Sequence, residues 1–213
     1  MTKKERYEGI SKWFAMENPN ADTELHYTTT WSLLVAVMLS AQCTDKRVNM
    51  VTPSLMARYP SPVAMASSSA EEIFGYIRSI SYPNSKASHL FTTSQILCRD
   101  FGGEVPSSRA GLESLAGVGR KTANVMLSVA FGEVAMAVDT HVFRVSRRIG
   151  LSRGTTPEAV ERDLLRGFRG ADMARAHHWL ILHGRYVCLA RTPRCGDCGI
   201  SGFCKHFSSC SAR

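Results

Sequence analysis

Short apolar stretches, separated by signals for the start of a helix, recur along the whole chain. Three of them, at residues 33–39, 90–97 and 125–129, are typical of helices with a buried face. Residues 134–138 alone are typical of extended backbone, and they are too few to indicate a sheet. The hydrophobic pattern therefore predicts an all-α fold.

Cap residues mark where several of these helices begin. A serine or threonine followed by proline, the pair that fits an N-cap and the first helical position, occurs at Ser61-Pro62 and Thr156-Pro157. Ser69, with Glu72 three residues later, predicts a capping box in which each side chain bonds the other residue's backbone N–H. Asp172 predicts the start of a further helix that ends near Gly184.

Composition narrows the class of protein. The chain has 213 residues and a net charge of +8. Basic and acidic residues balance over residues 1–140, so the whole excess lies in residues 141–213. A basic field concentrated in one third of a chain favours a polyanion such as nucleic acid, because phosphate neutralisation releases counterions. A solubilising surface is the alternative.

Neither a membrane helix nor a secretory signal is indicated. No stretch approaches the roughly 18 unbroken apolar residues that a membrane-spanning helix needs. The charged start at residues 1–6 is not followed by a long apolar run. We therefore expect a cytoplasmic protein.

Four of the seven cysteines form a compact array, Cys188, Cys195, Cys198 and Cys204. Four thiolates in so short a segment can wrap one metal centre, whereas a disulfide pair is disfavoured in a reducing compartment. Structural zinc stays open as an alternative. Zinc ribbons usually show two separated Cys-x2–4-Cys knuckles, however, and this array has one. The uneven spacing favours an iron–sulfur cluster.

The most informative stretch covers residues 115–123. A helix predicted to begin near Arg109 ends in a Gly-Val-Gly turn at residues 117–119, and a second helix is predicted to begin at Lys121. The glycines allow a sharp turn with backbone N–H groups close to a ligand, and the helix behind them adds a positive dipole end. The arrangement predicts a phosphate cradle, that is, a turn whose backbone binds a phosphate independently of the base sequence. A plain helix–helix connection is the alternative, which the adjoining Arg120 disfavours.

Lys121 and Asp139 are the candidate catalytic residues. Lys121 either adds positive charge to the cradle or acts, as a free amine, as a nucleophile on a sugar C1′. Asp139 is predicted to be an N-cap, and a carboxylate there can also stabilise positive charge that develops on a sugar ring. His141 is expected to pack or to contact a phosphate. Arg144 and Arg148 share a helix face through their i,i+4 spacing and are expected to contact phosphates.

Together these motifs resemble the endonuclease III family. Besides the cysteine array, the resembling blocks are residues 39–45, 115–123, 138–144 and 178–185, in consistent order. The resemblance implies a helix–hairpin–helix glycosylase fold with two helical lobes, a DNA-binding cleft and a C-terminal iron–sulfur cluster loop. One lobe is expected to be a six-helix barrel domain over residues 23–134. The other is expected to be an iron–sulfur cluster domain made of residues 1–22 and 135–213.

By that similarity each candidate residue takes a role. Lys121 is expected to form a Schiff base with the sugar, Asp139 to be the essential carboxylate, and Gln42 to fill the gap left by a flipped nucleotide. The four cysteines are expected to hold a 4Fe–4S cluster. The residues expected to contact DNA are Gln42, Tyr82, Gly117, Val118, Gly119, Arg120, His141, Arg144, Arg148 and Arg191.

The sequence departs from the family's usual pattern at residues 81–84. Related enzymes commonly carry glycine, a bulky apolar residue and an aromatic residue before Asn-x-Lys-Ala, where this chain has Ser81-Tyr82-Pro83 before Asn84. The loop is expected to wedge into the strand opposite the lesion. Because Tyr82 changes the wedge and Pro83 stiffens it, the resemblance does not fix the opposite-base preference.

The resemblance implies a bifunctional DNA glycosylase and abasic-site lyase of base excision repair. Such an enzyme removes oxidised pyrimidines from duplex DNA and cleaves the abasic site by β-elimination, and we expect it to act as a monomer. Two alternatives stay open. An adenine-mismatch glycosylase shares the hairpin, the aspartate and the cluster but lacks the lysine found here at position 121. A non-catalytic iron–sulfur protein that binds DNA or senses redox state is disfavoured because Lys121 and Asp139 are both present.

Overall fold

A computed structural model gives the fold of residues 1–170 and 172–210, and every regular element in this part is helical. The prediction of an all-α fold is confirmed. The helices of the described part are α1 (Lys3–Glu17), α2 (Thr30–Ser40), α3 (Asp45–Arg58), α4 (Pro62–Ala66), α5 (Ala70–Ile77), α6 (Pro83–Asp100), α7 (Arg109–Glu113), α8 (Arg120–Phe131), α9 (Thr140–Ile149), α10 (Pro157–Gly167), α11 (Asp172–Tyr186) and α12 (Lys205–Cys210), with a 3₁₀ turn at Ser201–Phe203. None of these helices is long and apolar enough to cross a membrane.

Side-chain caps set most of the helix starts. Eight helices begin after a residue whose side chain accepts a hydrogen bond from a first-turn N–H: Thr2, Thr29, Thr44, Ser61, Ser69, Ser108, Asp139 and Thr156. The helix starts predicted at Ser61, Ser69 and Thr156 are therefore confirmed. The capping box predicted at Ser69 forms only in part, because the Glu72 carboxylate accepts from Ser68 Oγ at 2.9 Å rather than from the cap residue.

The chain divides into two compact units, a continuous one (Glu24–Gly132) and a discontinuous one that joins Met1–Thr23 to Glu133–Arg213. The continuous unit contains α2 to α8. Within it α2 is the central helix, and every residue from Trp31 to Leu39 is buried. A helix that is apolar nearly all round has no face suited to water, and α3, α6 and α8 each pack against it.

The discontinuous unit is built around α1 and α11. α1 buries Tyr7, Ile10 and Phe14, which their i, i+3, i+7 spacing places on one face. The Phe14 ring stacks on Trp179 of α11 with 5.6 Å between the ring centroids. α11 begins at the predicted residue, Asp172, and ends shortly after its predicted end. This packing supports α9, which carries Asp139 as its N-cap and lies against α11.

Candidate functional site

The hairpin between α7 and α8 is fixed to α6 by close contacts. Gly117 has a φ of +74°, and a Cβ atom there would lie 2.7 Å from His89 Nδ1, so both the conformation and the space require glycine. Thr93 Oγ1 donates to Ala116 O at 2.8 Å. The Val118 side chain is buried. Any contact of this turn with a ligand therefore comes from its backbone, as the sequence predicts for a phosphate cradle.

The start of α8 differs from most helix starts in the described part of the chain. Its N-cap is Gly119, which offers no capping side chain, and beyond its two chain neighbours no described residue has an atom within 4 Å of the place a Cβ would take. α8 begins at Arg120 rather than at Lys121, so Lys121 lies in the first turn, and it is exposed. An uncapped helix N-terminus has N–H donors and a positive dipole end available to an anion.

Gln42 and Tyr82 share an unusual backbone conformation. Their φ angles are +53° and +56°, and among the described residues no other non-glycine residue has a positive φ. Such a conformation costs about 1–3 kcal/mol for each residue and is found preferentially at functional sites. Both side chains are exposed. Pro83 does not lie in a loop, because it is the first residue of α6 and Tyr82 is the N-cap.

Lys86, which the sequence matched to the family's Asn-x-Lys-Ala pattern without giving it a role, connects these two turns. Its backbone N–H donates to Tyr82 O at 3.1 Å. Its ammonium donates to Leu39 O at 2.8 Å and to Ala41 O at 2.6 Å, at the end of α2. Burial lowers the pKa of Lys86, but the two carbonyls hold its N–H groups in place. Lys86 thus ties the Tyr82 turn to the carbonyls just before Gln42.

Asp139 caps α9, as predicted. Its Oδ1 accepts from Val142 N–H at 2.7 Å, and its side chain is half-buried. Four of the predicted DNA contacts lie in the same unit, and two of them are His141 and Arg191. His141 is half-buried, with Nδ1 3.3 Å from Arg144 Nη2, and Arg191 is exposed in the segment that carries the four cysteines, residues 188–204, which we call the cysteine loop.

Arg144 and Arg148 share a face of α9 as their spacing predicts, but this face meets the cysteine loop. Arg144 Nη2 donates to Gly184 O at 2.8 Å and to Cys188 O at 3.2 Å. Arg148 donates to the carbonyls of residues 189 and 190, at 2.6 and 2.9 Å. A guanidinium engaged by carbonyls has fewer N–H groups left for a phosphate. The geometry therefore gives both arginines a role in holding the loop, and their contact with DNA phosphates stays a prediction.

The four cysteines of the array line one cavity. Burial is the main reason that the pKa values of Cys198 and Cys204 are raised, and the neighbouring thiols add to the effect. Thiolates this close repel one another unless a cationic centre balances them. In the described part of the chain no three His, Cys, Asp or Glu side chains converge closely enough to hold a single metal ion. Four cysteines around one cavity are the ligand set of an iron–sulfur cluster, and tetrahedral zinc can use the same set.

His183 is a further residue of this site that the sequence analysis missed. Its Nε2 lies 3.7 Å from Cys198 Sγ, and its carbonyl accepts from Cys188 N–H at 2.7 Å. Burial lowers the pKa of His183 to about 4, so the ring is neutral at neutral pH. His183 therefore fixes the start of the cysteine loop without adding charge beside it.

Profiles of two protein families match this chain. The profile of the HhH-GPD superfamily of base excision DNA repair proteins matches residues 35–169. The profile of the iron–sulfur binding domain of endonuclease III matches residues 188–204, a range that begins and ends at a cysteine of the array. The two matches cover the hairpin and the array respectively.

Individual proteins agree with the profiles. The chain is 49% identical to the endonuclease III of Rickettsia conorii, over 93% of this chain and 94% of the relative. It is 46% identical to the endonuclease III of Escherichia coli K12, over 97% of each protein. Among solved structures, a trapped covalent endonuclease III–DNA intermediate, an estranged-adenine complex, superposes with a TM-score of 0.90 at 39% identity and covers 99% of each chain.

These matches decide between the alternatives that the sequence left open. A 4Fe–4S cluster is confirmed in place of zinc. The enzyme is a DNA glycosylase and abasic-site lyase of base excision repair. With a matching profile over most of its length and relatives that align almost end to end, the chain belongs to the endonuclease III family of the HhH-GPD superfamily.

Proposed function

We propose that this enzyme acts on duplex DNA that carries an oxidised pyrimidine, and that Lys121 and Asp139 perform the chemistry. The observation that carries the proposal is the start of α8, where an uncapped helix N-terminus follows the turn at residues 117–119 and Lys121 is exposed in the first turn. Backbone N–H groups and the helix dipole suit a DNA phosphate. A phosphate bound there brings a deoxyribose near the lysine without any base-specific contact, as an enzyme that searches for lesions requires.

The proposed reaction has two stages. The Lys121 nitrogen forms a bond to C1′ while the bond from C1′ to the damaged base breaks, and the base leaves with the bonding electrons. Ring opening and transfer of a proton from nitrogen then give an iminium. The iminium makes the C2′ proton acidic, and removal of that proton expels the 3′ phosphate by β-elimination, which cuts the strand.

Asp139 is proposed to stabilise the positive charge that develops on the sugar as the base departs. The bond from Val142 N–H to Oδ1 fixes the carboxylate at the start of α9. A charge held in one position before the reaction stabilises a transition state better than one that must first be ordered.

Gln42 and Tyr82 are proposed to enter the base stack where the damaged nucleotide leaves it. Extrusion of a nucleotide costs roughly a few kcal/mol, and side chains that fill the gap offset part of that cost. The left-handed backbone of both residues and their common connection to Lys86 support this role, because they present exposed side chains on stiff turns.

The remaining assignments follow the same proposal. Arg120, His141 and Arg191 are proposed to contact phosphates, together with the backbone of residues 117–119. The unit Glu24–Gly132 is proposed to be the barrel domain, and the discontinuous unit the cluster domain. The enzyme is proposed to act as a monomer at the nucleoid.

A panel of duplexes tests the substrate class. We expect base release and strand nicking on thymine glycol and 5-hydroxycytosine, and nicking of a preformed abasic site. We expect no adenine release from an A·8-oxoguanine mismatch, since the chemistry is proposed for a pyrimidine. Adenine release without nicking would instead favour the mismatch glycosylase.

The same panel, run with each opposite base, tests Tyr82→Leu, which is expected to alter the opposite-base profile while nicking of abasic sites stays close to wild type. Identical profiles would show that Tyr82 does not take part in the choice.

Cys188, Cys195, Cys198 and Cys204 are proposed to be the cluster ligands, and the cluster to order their loop. We expect anaerobically prepared protein to contain about four iron and four sulfide per chain. Cys204→Ser is expected to lose most of the iron and to become sensitive to proteolysis within the loop. Cys98→Ser, which changes a cysteine outside the array, is the matched control. Full iron content in Cys204→Ser would contradict the ligand assignment.

A further inference from the structure

A strongly basic cleft lies beside the C-terminal end of α9, in the discontinuous unit. Its volume is about 1090 Å³, and of the twelve described residues that line it, seven are lysine or arginine. Asp163 is the one acidic residue among these twelve. So large an excess of one charge in one concave place focuses a positive potential there.

Some of these cations already have partners. Arg6 Nε donates to Phe203 O at 2.8 Å, and Lys3 lies 3.5 Å from Asp163. Asp163 is itself committed, because Ser152 Oγ donates to it at 2.6 Å, and this bond is the main reason that the pKa of Asp163 is lowered. Arg144 and Arg148 face the cysteine loop. Lys3, Arg6, Arg144, Arg148 and Asp163 therefore each have a partner within the protein.

Three further cations in the cleft have no acidic partner in the described part of the chain. Arg147, Arg153 and Lys205 are exposed, and within residues 1–170 and 172–210 no ion pair or side-chain hydrogen bond neutralises them. The Arg147 guanidinium lies 5.2 Å from the centroid of the Phe143 ring. A cation held on an aromatic face is restrained while its charge stays available to an anion.

The backbone brings these cations together. Gly150, whose φ is +90°, is the C-cap of α9, and a Cβ atom there would lie 2.9 Å from Lys205 Cβ and 3.3 Å from Arg6 Nη1. Because Gly150 has no side chain, Lys205 at the start of α12 and Arg6 of α1 can lie against the C-terminal end of α9. Like charges gathered in this way repel one another in the free protein, and a bound polyanion removes that repulsion.

We propose that this cleft binds the phosphate backbone of nucleic acid outside the stretch that holds the lesion. At 1.5 Å per residue, the length of α9 places Gly150 about 16 Å from Asp139, roughly five base-pair steps along a duplex. The cleft is thus separate from the catalytic carboxylate within its own unit. The choice of nucleic acid as the polyanion rests on the proposed function; the site itself rests on the charges.

Binding of the full-length protein, with its cluster, to duplexes of about 8 and about 40 base pairs, each centred on a non-cleavable abasic-site analogue, tests this inference, because the shorter duplex extends only about 14 Å from its centre and stops before the cleft. Arg147→Gln/Arg153→Gln is expected to reduce affinity for the long duplex. It should also make the plot of log affinity against log salt shallower by about 1–2, since each phosphate that the protein no longer neutralises lowers the slope by about 0.9. Arg78→Gln/Arg162→Gln removes the same charge at exposed positions outside the cleft and is the control. It should change the slope little.

Nicking of a short duplex centred on an abasic site separates this inference from the proposed function. The cleft variant is expected to nick it at the wild-type rate. An unchanged salt slope on the long duplex, or an equal loss with the control variant, would overturn the cleft. An equal loss of binding on short and long duplexes would make the cleft part of the lesion site and would overturn it as a separate contact. If the wild-type protein itself does not nick the abasic-site duplex, that result would count against the proposed function instead.

Discussion

Lys121→Gln is expected to abolish the covalent link to DNA that borohydride traps, and with it strand cleavage. A glutamine amide nitrogen is not nucleophilic, so no bond to C1′ forms and no iminium exists to be reduced. The substitution keeps a side chain of similar length at an exposed position of α8 and should change stability by no more than about 0.5 kcal/mol. Binding to the lesion duplex should persist, because the backbone of the hairpin is untouched. A denaturing gel detects the crosslink, and a binding titration measures the affinity for the lesion duplex.

The main rival for the nucleophile is Lys86. Burial lowers its pKa, as a nucleophilic lysine requires, yet its ammonium donates to Leu39 O and Ala41 O and its side chain is 8% exposed. An amine held in this way is not available to a sugar. Lys12→Gln, a change of an exposed lysine in α1, is the control and should crosslink like wild type. Peptide mapping that places the crosslink on Lys86 or on the N-terminus would overturn the assignment to Lys121.

Local features of the site could be predicted from the sequence because a few neighbouring residues decide them. Asp139 caps α9 since its oxygen reaches the N–H three residues on, whatever the rest of the fold does. The Gly-Val-Gly turn before α8 is equally local, although α8 begins one residue earlier than predicted. The capping box at Ser69 failed in part because a nearby hydroxyl, Ser68, competes for the Glu72 carboxylate.

Features that depend on tertiary contacts could not be predicted in the same way. The spacing of Arg144 and Arg148 shows that they share a face, but only the fold shows that this face meets the cysteine loop. The left-handed backbone of Gln42 and Tyr82 has no local signal, since neither residue type favours it. Lys86 gave one hint, a lysine on the buried face of a helix, but its carbonyl partners lie 45 and 47 residues away.

Asp139→Asn is expected to slow base excision by about 10²–10³-fold, the loss typical when one preorganised electrostatic group is removed from a transition state. Asparagine caps helices about as well as aspartate, so the bond to Val142 N–H and the stability should be kept while the charge is lost. Asp139→Ala removes the cap as well and is expected to destabilise the protein by about 1 kcal/mol. The comparison of the two variants separates the structural role of Asp139 from its chemical one.

Cleavage of a preformed abasic site provides the second readout for Asp139→Asn. The aldehyde of such a site has no base to lose, so the positive charge that Asp139 is proposed to stabilise does not have to develop there. We therefore expect single-turnover base excision to fall much further than abasic-site cleavage, whereas Lys121→Gln loses both. Equal losses of the two activities in Asp139→Asn would mean that the carboxylate acts mainly on a step they share, such as moving a proton to or from the lysine. Unchanged base excision would mean that Asp139 has only a structural role, as the N-cap of α9.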